Sequence, residues 1–268
     1  IFALESIVNE LAGILKRDPV ELRMQNILKQ GMKMPAYFDE TAESCRLDEC
    51  LVRAADMIGW KDKYPCRDMG NGKVRSVGIA MAMQGSCISF GSATVMLNED
   101  GSYKLSIAAA DMGTGCDTIL SQMAADVLHV STDEIFVSGA DTDNSPYDSG
   151  SYASSTTYIT GKAVEKACQK LIARILEIAS GMLEAPVEEL VFASDHVEWP
   201  KEQKSVSLED IGTKSMCGNG CALEVTESNT SPTSPPPFMA GAVEIELDKE
   251  TGHVEILDYK AVVDCGTV

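Results

Sequence analysis

The longest apolar repeat in the chain lies between Ile159 and Leu176. Apolar side chains recur there every three or four residues, which is the spacing of one face of an α-helix. The positions on this face are Ile159, Ala163, Val164, Ala167, Cys168, Leu171, Ile172, Ile175 and Leu176. The sequence therefore predicts a long helix that buries one face, and the rest of the chain must supply the core against which that face packs.

The segment before this helix is rich in small hydroxyl residues. It reads DSGSYASSTTYITGKA, residues 148 to 163, and follows an acidic loop that contains a proline. Ser154, Ser155 and Thr156 fall where the first unpaired N–H groups of the helix emerge, so they could bind an anion together with the positive end of the helix dipole. One of these hydroxyls could instead simply cap the helix. The local pattern leaves both interpretations open.

A second candidate loop lies in the run LSIAAADMGTGCDTILSQMAADVL, residues 105 to 128. The run reads as a strand, a glycine loop and a helix, an arrangement that lets backbone N–H groups approach a phosphate closely. It is not a dinucleotide fingerprint, because Thr118 occupies the third glycine position and no lysine follows as a P-loop requires. A plain tight turn is the alternative. Two such loops, each before a helix, favour a large anionic ligand that they share.

The segment QGSCISFGS, residues 84 to 92, is a third polar loop with spaced glycines. It lies between two predicted strands, and the argument for a shared anionic ligand extends to it. The alternative is an ordinary connection between two strands. The residues alone do not decide between these two interpretations.

Three other patterns are weaker candidates for sites. The acidic loop from Asp141 resembles the start of a calcium loop, but Pro146 stands where glycine is needed and Tyr152 where glutamate closes the loop. Cys217 and Cys221 could be half of a zinc site, but no second cysteine pair or nearby histidine completes it. The three histidines are isolated in the sequence, so no Ser/His/Asp arrangement is predicted.

Composition limits the class of protein. A chain of 268 residues with 44% hydrophobic residues can bury a large core. Its net charge of −19, from 22 basic and 41 acidic residues, argues against a nucleic-acid partner. No apolar run reaches the length of a membrane helix, and nine scattered cysteines fit a reducing compartment better than a disulfide scaffold. We therefore expect a cytoplasmic location without a membrane partner.

The order of the predicted elements indicates an α+β fold in two unequal parts. Helical patterns fill most of the segment before Gly59, and short β-prone runs then alternate with helices. A hairpin tip is expected at residues 99 to 101, and a proline-rich linker precedes a final hairpin that turns near residues 249 to 252. The predicted division is a helical lead-in segment at residues 1–75, a mixed βα lobe at 76–229, and a linker with a β-hairpin at 230–268.

Four segments occur in a fixed order along the chain. They are FALES with LAGILKRDPVELRMQNIL, AADMGTGCDTILSQMAADVL, DTDNSPYDSGSYASSTTYITGKAV, and SPPPFMAGAVEIELDKETGHVEILDYKAVVDCGTV. Together they resemble the molybdenum-binding large subunit of the xanthine dehydrogenase and aldehyde oxidoreductase family, the molybdenum hydroxylases. The resemblance spans nearly the whole chain and implies a central fragment of such a subunit. It makes residues 76–229 the molybdopterin-binding lobe and assigns the final hairpin to the neighbouring lobe.

The resemblance also implies a cofactor and the residues that contact it. The cofactor would be molybdopterin with molybdenum, expected as the cytosine dinucleotide, while iron–sulfur clusters and FAD would lie on partner subunits or domains. The residues carried over as cofactor contacts are Gln84, Gly85, Ser86, Gly113, Thr114, Gly115, Ser154, Ser155 and Thr156. Tyr152 and Ala153 are carried over to the substrate pocket near the metal. Thr114 departs from the family, since many members carry the longer glutamine there.

The reaction implied by the resemblance is hydroxylation with oxygen from water, and we expect a purine or a related N-heterocycle as the substrate. The family's general base is a glutamate in a Gly-Glu-Pro context, which we expect downstream of Val268 because the chain has no such motif. The isolated fragment is therefore expected to be inactive. Two alternatives stay open, namely an aldehyde-oxidising member of the same family and a non-catalytic module that binds a nucleotide or phosphate.

Overall fold

The structure is a computed structural model that describes residues 1–35, 39–86, 89–219, 222–233 and 235–266. The chain forms two compact units. The first consists of Ile1–Gly85 with Pro235–Val268, and the second of Ser86–Ser234. Each unit has its own hydrophobic core. The predicted α+β class is confirmed, whereas the three-part division at residues 75/76 and 229/230 stays a prediction.

Helices and strands follow one another in short runs along the described chain. Helices α1 to α7 span, in order, Phe2–Ile14, Pro19–Asn26, Leu47–Ile58, Trp60–Lys63, Cys116–Leu128, Thr156–Leu183 and Leu208–Lys214. Strands β1 to β13 span Lys33–Met34, Glu40–Thr41, Cys66–Asp68, Lys73–Met83, Phe90–Leu97, Tyr103–Ile107, Ile135–Gly139, Val191–Phe192, His196–Trp199, Lys204–Ser207, Leu223–Thr230, Phe238–Asp248 and Val254–Asp264. The predicted long helix is α6, and both predicted hairpins form, β5–β6 and β12–β13.

An antiparallel sheet in the order β13–β12–β4–β3 forms the frame of the first unit. Helix α3 packs on this sheet through Leu51, Ala54 and Ile58, none of which is exposed. It ends at Gly59, whose φ of 76° places it in the left-handed region that favours glycine at the end of a helix. The core of this unit is thus a helix laid on a sheet.

Two glutamates lie on the buried face of β12. Glu244 and Glu246 continue the alternation that begins at Phe238 and are only 7% and 8% exposed. Each carboxylate accepts hydrogen bonds from two cationic side chains, and these bonds lower the pKa of both glutamates. The cationic partners are Lys63 and Arg67 for Glu244, and Lys73 and Arg75 for Glu246. Paired charges therefore complete the buried face of the strand.

Helix α1 turns its apolar stripe outward. The buried residues of this helix are Glu5 and Ala12. Glu5 accepts hydrogen bonds from Arg23 Nη2 at 2.8 Å and from the Met81 N–H at 2.9 Å. A buried ion pair therefore joins α1 to α2 and β4. The exposed apolar positions of the segment are Ile1, Phe2, Leu4, Ile7, Leu11, Ile14 and Leu15.

A second four-stranded sheet, in the order β11–β5–β6–β7, forms the frame of the second unit. Strands β6 and β7 are parallel, and α5 makes the crossover between them. Helix α6 packs against β5, β11 and α5. Its face is made of fully buried residues such as Ala163, Ala167 and Leu171, as the apolar repeat predicts. The small residues in this face let the helix lie close to the sheet.

Two further structural findings concern membrane-spanning helices and the state of the cysteines. None of the described helices is both long enough and apolar enough to cross a membrane. Seven of the nine cysteines are described, and all seven are free thiols.

Candidate functional site

A cavity of about 330 Å³ lies in the second unit, where α5 and α6 begin. One side is lined by Thr114, Cys116 and neighbouring residues at the start of α5. The other side is lined by residues 151 to 157, which form the loop before α6 and its first helical residues. The beginning of a helix has unpaired N–H groups and the positive end of the helix dipole. Two such helix ends therefore lie at one cavity.

The hydroxyl of Ser155 does not cap α6. Ser155 is the residue before the helix, but its Oγ donates to the Tyr152 carbonyl oxygen at 2.8 Å, and the residue is only 2% exposed. No side chain of the described residues caps this helix end. The simple helix cap, one of the two interpretations of this segment, therefore does not form within the described chain. The first N–H groups of α6 stay available to a ligand.

The loop before α6 has a strained backbone. Ala153 and Ser154 have φ of 50° and 60°, in the left-handed region that non-glycine residues rarely adopt. Such a conformation costs about 1–3 kcal/mol per residue and tends to occur at ligand-binding sites. The next residue, Ser155, is right-handed with φ of −90°. A left-handed residue beside a right-handed one can turn successive N–H groups to one side, as in anion-binding turns. Here the Ser155 N–H already donates to the Tyr152 carbonyl oxygen at 3.2 Å, so this group is not free for an anion.

Ser151, whose hydroxyl has no partner among the described residues, also lines this cavity. Its Oγ is buried and makes no hydrogen bond with any residue in the described part of the chain. It nevertheless belongs to a residue that lines the cavity. A buried hydroxyl without a partner costs about 1–3 kcal/mol. A ligand with acceptor oxygen or nitrogen atoms in the cavity would remove this cost.

The glycine loop before α5 binds a carboxylate of the chain itself. The N–H groups of Gly113, Thr114 and Gly115 donate to Asp111 Oδ1 at 2.8, 2.9 and 3.1 Å. The bond from Gly113 is the largest cause of the lowered pKa of Asp111. Both glycines have left-handed φ, 91° and 74°, so the turn depends on glycine. The N–H groups that a phosphate would contact here already have an acceptor.

Cys116 is a buried thiol at the first position of α5 and lines the cavity. Burial raises its pKa, and the nearby carboxylates of Asp117 and Asp111 raise it further. These effects outweigh the helix end, which by itself would favour the thiolate. The three residues bring possible metal-ligand atoms within 4.8 Å of one another. A protonated thiol is a poor ligand, however, and Asp111 already accepts three N–H bonds, so this group does not form a persuasive metal site.

The class of protein to which this site belongs follows from a match to a known family. Residues 53–268 match the family model described as a molybdopterin cofactor-binding domain. The chain belongs to this family. The resemblance to the molybdenum hydroxylases found in the sequence is thereby confirmed at the level of the family.

Two curated relatives of this molybdopterin cofactor-binding domain come from Escherichia coli. The protein named "Probable hypoxanthine oxidase XdhD", from strain K12, is 32% identical over 281 residues, which cover 99% of this chain and 29% of that protein. The xanthine dehydrogenase molybdenum-binding subunit of strain O157:H7 is 29% identical over 280 residues, which cover 100% of this chain and 37% of that protein. The chain thus spans about a third of the length of these relatives.

The fold of the domain also occurs in solved structures. The reconstituted CO dehydrogenase from Oligotropha carboxidovorans aligns with a TM-score of 0.83 at 22% identity. The alignment covers 100% of this chain and 36% of the CO dehydrogenase chain. At this level of identity, the likeness shows a shared fold.

The donors around the cavity fit a molybdopterin in kind. The group has a pterin with ring heteroatoms and at least one phosphate, so it needs many hydrogen-bond donors. The uncapped start of α6 and the hydroxyls of Ser154, Thr156 and Ser151 are groups of this kind, and would serve as donors if the cofactor bound here. The α5 side supplies fewer free donors, since Asp111 accepts the N–H groups of the glycine loop.

The structure brings two of the three predicted loops of the domain together at this cavity. Thr114 and residues 152–156 line it. Gln84, Gly85 and Ser86 are not among its lining residues: the first two belong to the first unit, and Ser86, which is 7% exposed, belongs to the second. Residues 87 and 88 of the same loop lie outside the described residues. The assignment of Tyr152 and Ala153 to the substrate pocket, and of the other residues to the cofactor, stays a prediction.

Sequence reasoning missed five lining residues of the domain: the apolar Met112 and Ile119, and Cys116, Ser151 and Thr157. Ser151 stands in the same hydroxyl-rich segment as Ser154, and Thr157 is the second residue of the helix. The rule that the first residues of a helix offer free N–H groups applies to Thr157 as well as to Thr156. Applied through the whole first turn, that rule would have found Thr157.

The two weaker metal patterns gain no support from the described residues. Asp141 uses its carboxylate to accept the Asp143 N–H at 3.0 Å and the Asn144 side chain at 2.7 Å, as in an ordinary turn. Residues 141–144 are exposed, as in an ordinary solvated loop. Cys217 is an exposed free thiol, and Cys221 lies outside the described residues.

Proposed function

We propose that the protein carrying this chain is a molybdopterin-dependent hydroxylase of the xanthine dehydrogenase type, which acts on a purine or a related N-heterocycle. This substrate class is supported by the names of two relatives, which are a probable hypoxanthine oxidase and a xanthine dehydrogenase subunit. The chain matches about a third of each of them. The activity of the whole protein is therefore part of the proposal.

The cofactor role is supported mainly by the start of α6, which has no side-chain cap within the described chain. This helix start borders the same cavity as Ser151, whose hydroxyl has no partner among the described residues. We propose that the hydroxyls of Ser154 and Thr156 and the first N–H groups of α6 hold the phosphates of a molybdopterin cytosine dinucleotide. Ser155 instead orders the loop, because its hydroxyl is bonded to Tyr152. The positive end of the helix dipole favours the negative charge of phosphates at this position.

The α5 side of the cavity would contact uncharged parts of the cofactor. Asp111 places a carboxylate at the glycine loop, and its bonds to the loop lower its pKa, so the charge persists at neutral pH. A second phosphate would meet this charge. Gly113 and Gly115 would therefore serve by letting the pterin approach the backbone closely, and the Thr114 hydroxyl would donate to it.

The remaining residues at the cavity would border the substrate. Tyr152 is about half exposed, and Ala153 follows it in the strained part of the loop. When bound, the molybdenum centre would supply the oxygen-transfer and electron-transfer chemistry. The described residues of the cavity include no glutamate that could act as the general base. We propose that this base belongs to another part of the longer protein, so that the fragment alone is inactive.

Iron–sulfur and flavin subunits or domains would take up the electrons from the reaction. We also infer a cytoplasmic location and no nucleic-acid partner. The net charge of −19 supports the second inference, and the free thiols support a reducing compartment.

Metal and nucleotide analysis of the purified, complete protein tests this proposal. We expect molybdenum by mass spectrometry, a pterin by fluorescence, and cytidine monophosphate after acid hydrolysis. Steady-state assays should show oxidation of hypoxanthine or a similar heterocycle. Oxidation of aldehydes alone would contradict the substrate class. A bound nucleotide without molybdenum would instead favour a non-catalytic binding module.

A further inference from the structure

Asp148 lies at the start of the loop that leads to α6 and contacts both ends of this loop. Its Oδ1 accepts a hydrogen bond from the Gly150 N–H at 2.8 Å, and its Oδ2 accepts one from the Thr160 hydroxyl at 2.7 Å. Thr160 lies on the second turn of α6 and is 2% exposed. A single carboxylate therefore joins the start of the loop to the helix that follows it.

Strand β5 holds the same end of the loop. Ser149 donates to the Phe90 carbonyl oxygen with its N–H, at 3.1 Å, and with its hydroxyl, at 2.9 Å. The next residue in the strand, Gly91, is buried. A Cβ at Gly91 would come within 2.6 Å of Thr160 Oγ1 and 2.9 Å of Asp148 Oδ2. The contact between Asp148 and Thr160 thus fills space that only a glycine leaves free, so it is packed as well as hydrogen-bonded.

The middle of the loop has little else to hold it. Apart from the bond between Gly150 and Asp148, the hydrogen bonds of residues 150–155 within the described chain join Tyr152 to Gly150, Ser155 to Tyr152, and the Ile159 N–H of α6 to the Ser155 carbonyl oxygen. This segment nevertheless contains two left-handed residues and one unpartnered buried hydroxyl. A strained backbone persists only where its surroundings fix it. Here the fixed points are the two ends of the loop.

We infer that Asp148 is a positioning residue for the cofactor: by fixing both ends of the loop, it holds residues 151–156 in the conformation that presents their donors to the cavity. This inference rests on the proposed function, because it concerns the same site. Asp148 is not among the lining residues of the cavity, so it acts through the loop. Its loss should leave the sheet and helices of the second unit in place while the loop loses its single conformation.

The first test measures bound cofactor in Asp148→Asn and Thr160→Val variants of the complete protein, purified from cells that make molybdopterin. The matched control is Asp143→Asn, which removes the same charge from the preceding loop. The Asp143 carboxylate has no hydrogen-bond partner among the described residues, and its backbone N–H bonds to Asp141. We expect about tenfold less molybdenum per protein in both variants, since the loss of one hydrogen bond changes an equilibrium by roughly that factor. The control should keep its molybdenum.

Rescue separates a positioning hydroxyl from a general packing effect. Thr160→Ser keeps the hydroxyl that donates to Asp148 and loses only a methyl group, so it should retain most of the cofactor that Thr160→Val loses. Equal loss in both Thr160 variants would overturn the role of this hydrogen bond.

Hydrogen–deuterium exchange of the cofactor-free protein gives a readout that does not depend on activity. The amides of Tyr152 and Ser155 should exchange faster in Asp148→Asn than in the wild type or the control, while the amides of β5 and β6 stay protected. Unchanged loop exchange, or faster exchange throughout the second unit, would overturn the inference. Wild-type protein without molybdenum and pterin would overturn the proposed function itself, and the inference with it. The two failures are therefore distinguishable.

Discussion

At the scale of single residues, the polar groups that the cavity offers to a ligand are those without a hydrogen-bond partner in the chain. Asp111 accepts three N–H groups of the glycine loop, and the Ser155 hydroxyl bonds back to Tyr152. Ser151 is left without a partner among the described residues. Residue types alone therefore do not tell which hydroxyl is free for a ligand.

Ser151→Ala should lower cofactor content without weakening the cofactor-free protein. The variant removes a buried hydroxyl that has no partner, so the free energy of unfolding of the cofactor-free form should stay the same or rise by up to about 1 kcal/mol. Chemical denaturation and metal analysis measure the two effects. The control is Ser205→Ala, at an exposed serine that lies outside the cavity lining. A marked loss of stability in the cofactor-free Ser151→Ala variant would show that the hydroxyl has a structural partner.

Asp111→Asn should change how stability depends on pH. The bonds from the glycine loop lower the pKa of Asp111 below its ordinary value of 3.8. A carboxylate with a lowered pKa stabilises the fold above that ordinary value, and this contribution is lost as the pH falls through the lowered pKa. The variant should thus be less stable than the wild type at pH 7 and lose less stability below pH of about 4. Parallel pH profiles of the unfolding midpoint would contradict this role.

At the scale of elements, some helical glycines are needed for close packing against a neighbouring element. Other helical glycines have no such contact and only lower the stability of their helix. Gly212 lies in α7, and a Cβ there would collide with the Asn98 carbonyl oxygen at the end of β5. Gly181 lies near the end of α6, and a Cβ there would meet nothing within 4 Å. Neither has a left-handed φ. The two positions therefore form a matched pair.

Gly212→Ala should destabilise the second unit by about 1–3 kcal/mol, because a backbone atom must move to admit the methyl group. Gly181→Ala should stabilise it by about 0.5–1 kcal/mol, because alanine favours a helix over glycine. Urea denaturation of both variants measures the difference. A neutral Gly212→Ala would mean that α7 does not pack on the tip of the β5–β6 hairpin.

At the scale of the whole molecule, each unit has its own core. The first unit also contains the buried pair Glu5 and Arg23, whose side chains are 11% and 1% exposed. Removal of one partner of such a pair leaves a buried charge without compensation. The effect should be confined to the unit that contains the pair.

Arg23→Met should destabilise the first unit by about 3 kcal/mol or more, since it leaves the Glu5 carboxylate unpaired. The double variant Glu5→Gln with Arg23→Met should recover part of this loss. Hydrogen–deuterium exchange should rise in α1, α2 and β4 and stay unchanged in α6. Equal stability of the single and double variants would contradict a paired, buried charge.

Much of the fold could be predicted from local signals. The apolar spacing located α6, and Gly59 marked the end of α3. The capping box of Ser131 and Glu134 is a local signal of the same kind. These signals work because a helix, its cap or a hairpin is specified by residues close in sequence. Part of the candidate site could also be predicted from local signals. An aspartate two residues before a glycine often accepts the N–H groups of a turn, so the role of Asp111 also had a local signal.

The sequence by itself determined the α+β class, the order of the elements and the family. Only the tertiary structure decided which polar groups are already partnered. The apolar stripe of α1 predicted a helix correctly but lies exposed, because Glu5 finds Arg23 and Met81, which are distant in sequence. The loop before α6 is likewise fixed by Asp148, Thr160 and Gly91. Burial and pairing depend on residues that meet only after folding, and no local pattern specifies them.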